Sequence, residues 1–82
     1  MEEETTWRKC PFEKDRFYLV KDTIHSLSET FHKGEKLKYI RSFYRIYESY
    51  TGYEFDTDGY TKILDIEDIE DINEYTKKME KI

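Results

Sequence analysis

A chain of 82 residues with 40% charged and 17% aromatic side chains and a net charge of −5 has room for one small domain, whose core must come from a few large rings. Its single cysteine, Cys10, excludes an internal disulfide and a cysteine-based zinc finger. No apolar run approaches the length of a membrane-spanning helix. Alanine and glutamine are absent while lysine, isoleucine, tyrosine and phenylalanine abound, a bias that suggests an AT-rich genome such as that of a low-GC bacterium, its phage or a large DNA virus.

Residues 1–10 are expected to form an acidic tail or a short extended segment with Trp7 turned inward. They have no apolar stretch of the kind a signal peptide needs. Residues 11–82 are expected to form the single domain. Pro11 suits the first turn of a helix, and Glu13 and Asp15 suit its positive end. The spacing of Phe17, Val20, Ile24, Leu27 and Phe31 predicts that this helix runs to about His32, with Gly34 as its stop.

Residues 35–50 dominate the reading. Laid out at about 100° per residue, Leu37, Tyr39, Ile40, Phe43, Tyr44, Ile46, Tyr47 and Tyr50 fill one half of a helix. Lys38, Arg41, Arg45 and Glu48 fill the other half. This broad aromatic face predicts a central helix, paired with the first as an antiparallel hairpin. The pattern then changes. Residues 53–55 alternate, residues 56–59 read as an Asp-Gly turn, and residues 60–66 form either a second strand or the start of a longer helix. Ile69, Ile72, Tyr75, Thr76 and Met79 predict a last helix over 68–82. The expected fold is α+β in the order α-α-β-β-α, a helix hairpin and a C-terminal helix packed with a short β-hairpin. An all-α fold is the alternative.

Charge is distributed unevenly. Residues 1–51 carry ten basic against nine acidic side chains, a net of +1, whereas residues 52–82 carry four against ten, a net of −6. Asp56, Asp58, Asp65, Glu67, Asp68, Glu70, Asp71 and Glu74 are expected to form a negative ridge that steers a basic partner. The bland alternative is ordinary solubility, with acids stabilising a helix start.

Other patterns are weaker. Glu54, Asp56, Asp58, Gly59 and Asp65 fall on positions of a single EF-hand calcium loop, but Asp65 replaces the bidentate glutamate and no second loop exists. Asp22, His25, Glu29 and His32 would share one helix face able to hold zinc, although Lys14 and Lys21 lie there too. Lys38, Arg41 and Arg45 would offer phosphates a basic helix face. Cys10 sits beside Arg8 and Lys9, which makes it a candidate reactive thiol, but it has no histidine near it in sequence.

No nucleophile triad or Gly-rich phosphate loop is present. The sequence therefore reads as a non-catalytic, cytoplasmic protein-binding module without a cofactor or metal. It would be an acidic inhibitor or adaptor that blocks a basic surface of a target protein through the acidic ridge together with Tyr44 and Tyr47. A homodimer through the aromatic face is also compatible. The alternatives are nucleic-acid binding by the basic face of the second helix and calcium binding by the acidic loop.

Overall fold

The computed structural model describes residues 10–27 and 29–82. It overturns the helical reading. The order is β1 (Phe17–Val20), β2 (Ile24–His25), β3 (Thr30–Phe31), β4 (Lys36–Arg45), β5 (Tyr50–Thr57), β6 (Tyr60–Glu67), α1 (Asn73–Thr76) and β7 (Met79–Lys81). Five strands form an antiparallel sheet in the order β6-β5-β4-β1-β7, and β2 and β3 form a separate small hairpin. Among the described residues neither an α+β helix hairpin nor an all-α bundle is present. Of the expected last helix one turn remains, and its end is strand β7.

The physical reason lies in β4. Its partner Phe55 faces Tyr39 and the next residue, Glu54, faces Arg41, so Ile40 is an extra residue in a β-bulge. The bulge moves the buried positions from Leu37 and Tyr39 to Ser42. That step of three interrupts the period of two and imitates a helical spacing. Rings and β-branched residues make up much of the strand, and these pack well on a pleated surface.

One sheet face carries the core. Tyr18 and Val20 of β1, Leu37 and Tyr39 of β4, Tyr53 and Phe55 of β5, and Leu64 and Ile66 of β6 are all buried on it. The cover comes from Phe12, the β2–β3 hairpin with Ile24 and Phe31, and Met79. Phe12 is the plug: its ring centroid lies 5.1–5.4 Å from those of Tyr18, Tyr39, Tyr53 and Phe55. Pro11 thus leads into a core residue rather than a helix. Cys10 lies beside it, its Sγ 3.2 Å from the Tyr39 hydroxyl. Trp7 and the rest of residues 1–9 lie outside the described residues.

Two features fix the β5–β6 hairpin. Asp58 and Gly59, with φ of 48° and 83°, make the two-residue turn whose left-handed backbone matches strand twist. In the strand interior, the Phe43 ring lies over Gly52, where an added Cβ would come within 2.6 Å of it.

The exposed edge of β6 is closed by side chains. The Ser26 hydroxyl accepts from the Asp65 amide at 2.7 Å and donates to the Asp65 carbonyl at 3.2 Å. A Glu70 carboxylate oxygen accepts from the Glu67 amide at 2.9 Å. Among the described residues no helix is long and apolar enough to cross a membrane.

Candidate functional site

The acidic side chains separate into two groups. Asp56 and Asp58 lie at the β5–β6 turn, where the Thr61 hydroxyl donates to Asp56 at 3.1 Å. Asp65, Glu67, Asp68, Glu70, Asp71 and Glu74 lie at the far end of β6 and beyond it. The eight residues of β6 separate the groups by roughly 23 Å at about 3.3 Å per residue. The continuous ridge expected from the sequence is thus a turn cluster and a larger cluster at the opposite end.

The larger cluster is tied into the fold. The Asp68 amide donates to the Ser49 carbonyl at 2.9 Å, joining the β4–β5 turn to the segment after β6. The Tyr44 hydroxyl donates to Asp68 Oδ2 at 2.7 Å. That bond, reinforced by desolvation and the carboxylate charge, raises the Tyr44 pKa. Glu70 uses its second oxygen to accept from the Tyr75 hydroxyl at 2.9 Å. Burial, then this bond and the charges of Glu70 and Glu67, push the Tyr75 pKa up to about 12.

Two surfaces result. Glu48, Ser49, Glu67, Asp68 and Ile69 line a depression of about 220 Å³. Ile69 in this lining is 90% exposed, and Ile46 and Tyr47, which precede Glu48 in the β4–β5 turn, are 68% and 95% exposed. On the other side, a groove runs between the β2–β3 hairpin and the segment leading into α1. It consists of a cleft of about 300 Å³ and one of about 190 Å³ that share His25, Glu70 and Tyr75 as a wall. Its acids are Asp65, Glu67, Glu70, Asp71 and Glu74, and its cation is Lys78.

Asp65 is the buried member of this set. Its Oδ1 is shielded from solvent and has no hydrogen-bond partner among the described residues. Burial raises its pKa, Arg45 opposes that rise, and Glu29 adds to it.

The other candidate sites lose the geometry that suggested them. Residues 54–65 are an antiparallel hairpin rather than a loop between helices, so the EF-hand positions are drawn out along two paired strands instead of wrapping one ion. Asp22, His25, Glu29 and His32 lie along the β2–β3 hairpin and its flanks, not on a helix face. Among the described residues no three His, Cys, Asp or Glu side chains converge as a metal site.

Lys38, Arg41 and Arg45 do share a face, because the bulge brings Arg41, Phe43 and Arg45 round to the side of Lys38. It is a sheet face, where Arg45 lies 4.8 Å from the Phe43 centroid and 5.7 Å from that of Tyr50. Glu54 binds Arg41 at 2.8 Å there.

The sequence reading missed Ile46, Ile69, His25 and Ser26 as surface and groove residues. The isoleucines counted as core in a helical stripe. His25 and Ser26 reach the groove only through pairing of a two-residue strand.

No family model matches the chain, and no curated protein matches it. Among solved structures it is similar to an integron cassette protein from the mobile metagenome of Vibrio cholerae, with a TM-score of 0.71 and 15% sequence identity over 88% of this chain and 87% of that one. At that identity the likeness concerns the fold alone.

Proposed function

We propose that this chain is a non-catalytic protein-binding module, an inhibitor or adaptor that docks by its acidic end on a basic surface of a target protein. The observation that carries the reading is the strong exposure of Ile69, which lines the depression with Glu48, Glu67 and Asp68, and of Ile46 and Tyr47 in the turn that supplies Glu48. Exposed large apolar groups inside a polar rim are the composition of a protein contact. The rings and isoleucines would supply contact energy, and the acids on-rate and selectivity. A reducing, cytoplasmic setting suits the free thiol of Cys10.

The test is affinity capture from a nuclease-treated lysate with three proteins: wild type, Glu67→Lys/Asp68→Lys/Glu74→Lys, and Asp56→Lys/Asp58→Lys. A protein retained by the wild type and by the turn variant, but lost with the first triple variant, supports the reading. Capture indifferent to the triple variant refutes it.

A second reading rests on the outer face of β4, where Lys36, Arg41 and Arg45 lie over the Phe17, Phe43 and Tyr50 rings. Such a surface suits single-stranded nucleic acid. Glu54 and Asp56, paired opposite Arg41 and Lys38, oppose it. Salt-sensitive oligonucleotide binding abolished by Arg45→Glu would favour this reading over the first.

A further inference from the structure

Among the described residues, the core cluster and its cover lie on one side of the five-stranded sheet, and no second layer packs on the outer side. A sheet with one solvated face normally turns polar side chains outward. Here the strand registers put Phe17, Leu19, Phe43, Tyr50, Ile63 and Ile82 at outward positions, alternating with the core residues. Phe17 and Ile82 are 43% and 56% exposed, and the other four are half-buried. The charges on this face fall in columns. β4 presents Lys36, Lys38, Arg41 and Arg45. The two strands on one side of it present four carboxylates, Glu54 and Asp56 of β5 and Asp65 and Glu67 of β6. Acids and bases therefore balance across these three strands, on a chain whose net charge is −5.

We infer that a second copy of this chain packs on the outer sheet face, about a two-fold axis that runs along the strands between β4 and β5. Such an axis keeps every residue at its own level along the strands and sets β4 of one copy on β5 of the other. Within the chain Lys38 faces Asp56, Arg41 faces Glu54 and Arg45 faces Tyr50. The two-fold repeats these three pairs between copies, so Arg41 and Glu54 form a square of alternating charge with their counterparts. The two Phe43 rings, each lying over its own Gly52, meet beside that square and give the contact an apolar centre within a charged rim. An axis across the strands would instead set β4 on β4, cation on cation. A nucleic acid on the same face would meet Glu54 and Asp56, which repel it and favour a second copy. Packed sheets cross at about 30°, so the middle rows, those of Arg41 and Phe43, stay best in register. β4 and β5 overlap fully and β6 in part, a footprint of roughly 300–400 Å² at about 4.8 Å between strands and about 3.3 Å per residue. Side chains standing off the sheet raise the accessible area toward about 600 Å² per partner, the low end for specific interfaces, so the dimer is a weak one. The inference is independent of the docking function above, which uses the acidic end.

The experiment is sedimentation equilibrium of the full chain. The expected dissociation constant is on the order of 100 μM, so concentrations run from about 10 μM to about 1 mM. Wild type should move from the 10.1 kDa monomer toward twice that mass. Arg41→Glu and Glu54→Arg each put like charge at all four corners of the square, and each should weaken dimerisation about tenfold or more. An equimolar mixture of the two variants should dimerise as wild type does, because each then finds opposite charge across the axis. Native circular dichroism and cooperative unfolding confirm that both variants fold. Should either fail to fold, Lys38→Asp and Asp56→Lys make the same exchange in the next row. Tyr47→Ser, at the acidic end, should dimerise as wild type does. A mass that stays monomeric throughout, single variants that dimerise undiminished, or a mixture that stays monomeric overturns the inference. A dimer lost in Tyr47→Ser would move self-association to the acidic end and overturn it as well. A monomer that binds an oligonucleotide through Arg45 would give the face to nucleic acid instead.

Discussion

Lys62→Met probes what holds the β2–β3 hairpin, one wall of the groove, against the sheet. Lys62 lies on the core side of β6, and each hydrogen of its ammonium has an acceptor. These are the Thr30 carbonyl at 2.8 Å and the two Glu35 oxygens at 2.9 and 3.1 Å. The side chains of Lys62 and Glu35 are 17% and 25% exposed. The pair is therefore more shielded than a surface bridge, worth about 0–1 kcal/mol. It is less shielded than a fully buried pair, whose breakage costs about 3–5 kcal/mol.

Methionine keeps the stem near Phe31 and removes only charge and donors. The lost bond to a neutral carbonyl costs about 1 kcal/mol, and Glu35 without its counter-charge adds about 1–2 kcal/mol. For a domain of this size the total lowers Tm by roughly 10–20 °C. Thermal and urea unfolding of Lys62→Met, Glu35→Gln and the double variant should give a coupling energy of about 1–2 kcal/mol. It should change little between 0.1 and 0.5 M salt, because the pair is shielded. A Tm change under about 3 °C, or coupling below about 0.5 kcal/mol, refutes the reasoning.

Three further outcomes can be checked. Gly52→Ala pushes a methyl against the Phe43 ring. Overpacking of about 1–3 kcal/mol, less about 0.5–1 recovered from the strand glycine, should leave a net loss that shrinks in a Phe43→Leu background. An equal loss in both backgrounds would rule out the ring as the cause. Asp65, its pKa raised in the folded state by burial, keeps its proton where the unfolded chain has lost it. Its contribution to stability therefore falls as pH rises from the unfolded pKa through the folded one. Asp65→Asn should be the more stable protein at pH 7, with the difference closing in acid, and lower stability at pH 7 would contradict this. Gly59→Ala, at a φ of 83°, should cost about 1 kcal/mol. Urea unfolding that shows no loss would mean that the turn is not held left-handed.

The hairpin turn was the legible part of this fold; of the rings assigned to the expected central helix face, Tyr39 is buried but Tyr47 is 95% exposed, and the core rings Phe12 and Tyr18 did not stand out. Asp58-Gly59 between alternating runs marks its turn by local chemistry alone, and Tyr53, Phe55, Leu64 and Ile66 around it are core residues. The strands β1 and β4 were not legible by period. In β4 the bulge at Ile40 inserts a three-residue step. In the first third of the chain, Phe17, Val20, Ile24 and Phe31 belong to three separate short strands whose breaks happen to keep a helical interval. Propensity was the better guide there, since this chain has no alanine and 13 phenylalanine and tyrosine residues. Of the candidate site, the acids could be named from sequence. Their division between two ends of a strand could not, because that follows from pairing partners far apart in the chain. The same holds for Ser26, which meets Asp65 across 39 residues.

The bonds from Ser26 to Asp65 and from Glu70 to Glu67 have a consequence for assembly. An outer strand with free amides is a template on which another chain can continue the sheet, and repetition of that step leads to fibres. Here a hydroxyl and a carboxylate occupy the template at two successive outward-facing residues. The groups that shape the groove are thus also stoppers against polymerisation. Selection for a different partner at this groove must therefore preserve them or meet self-association as its cost.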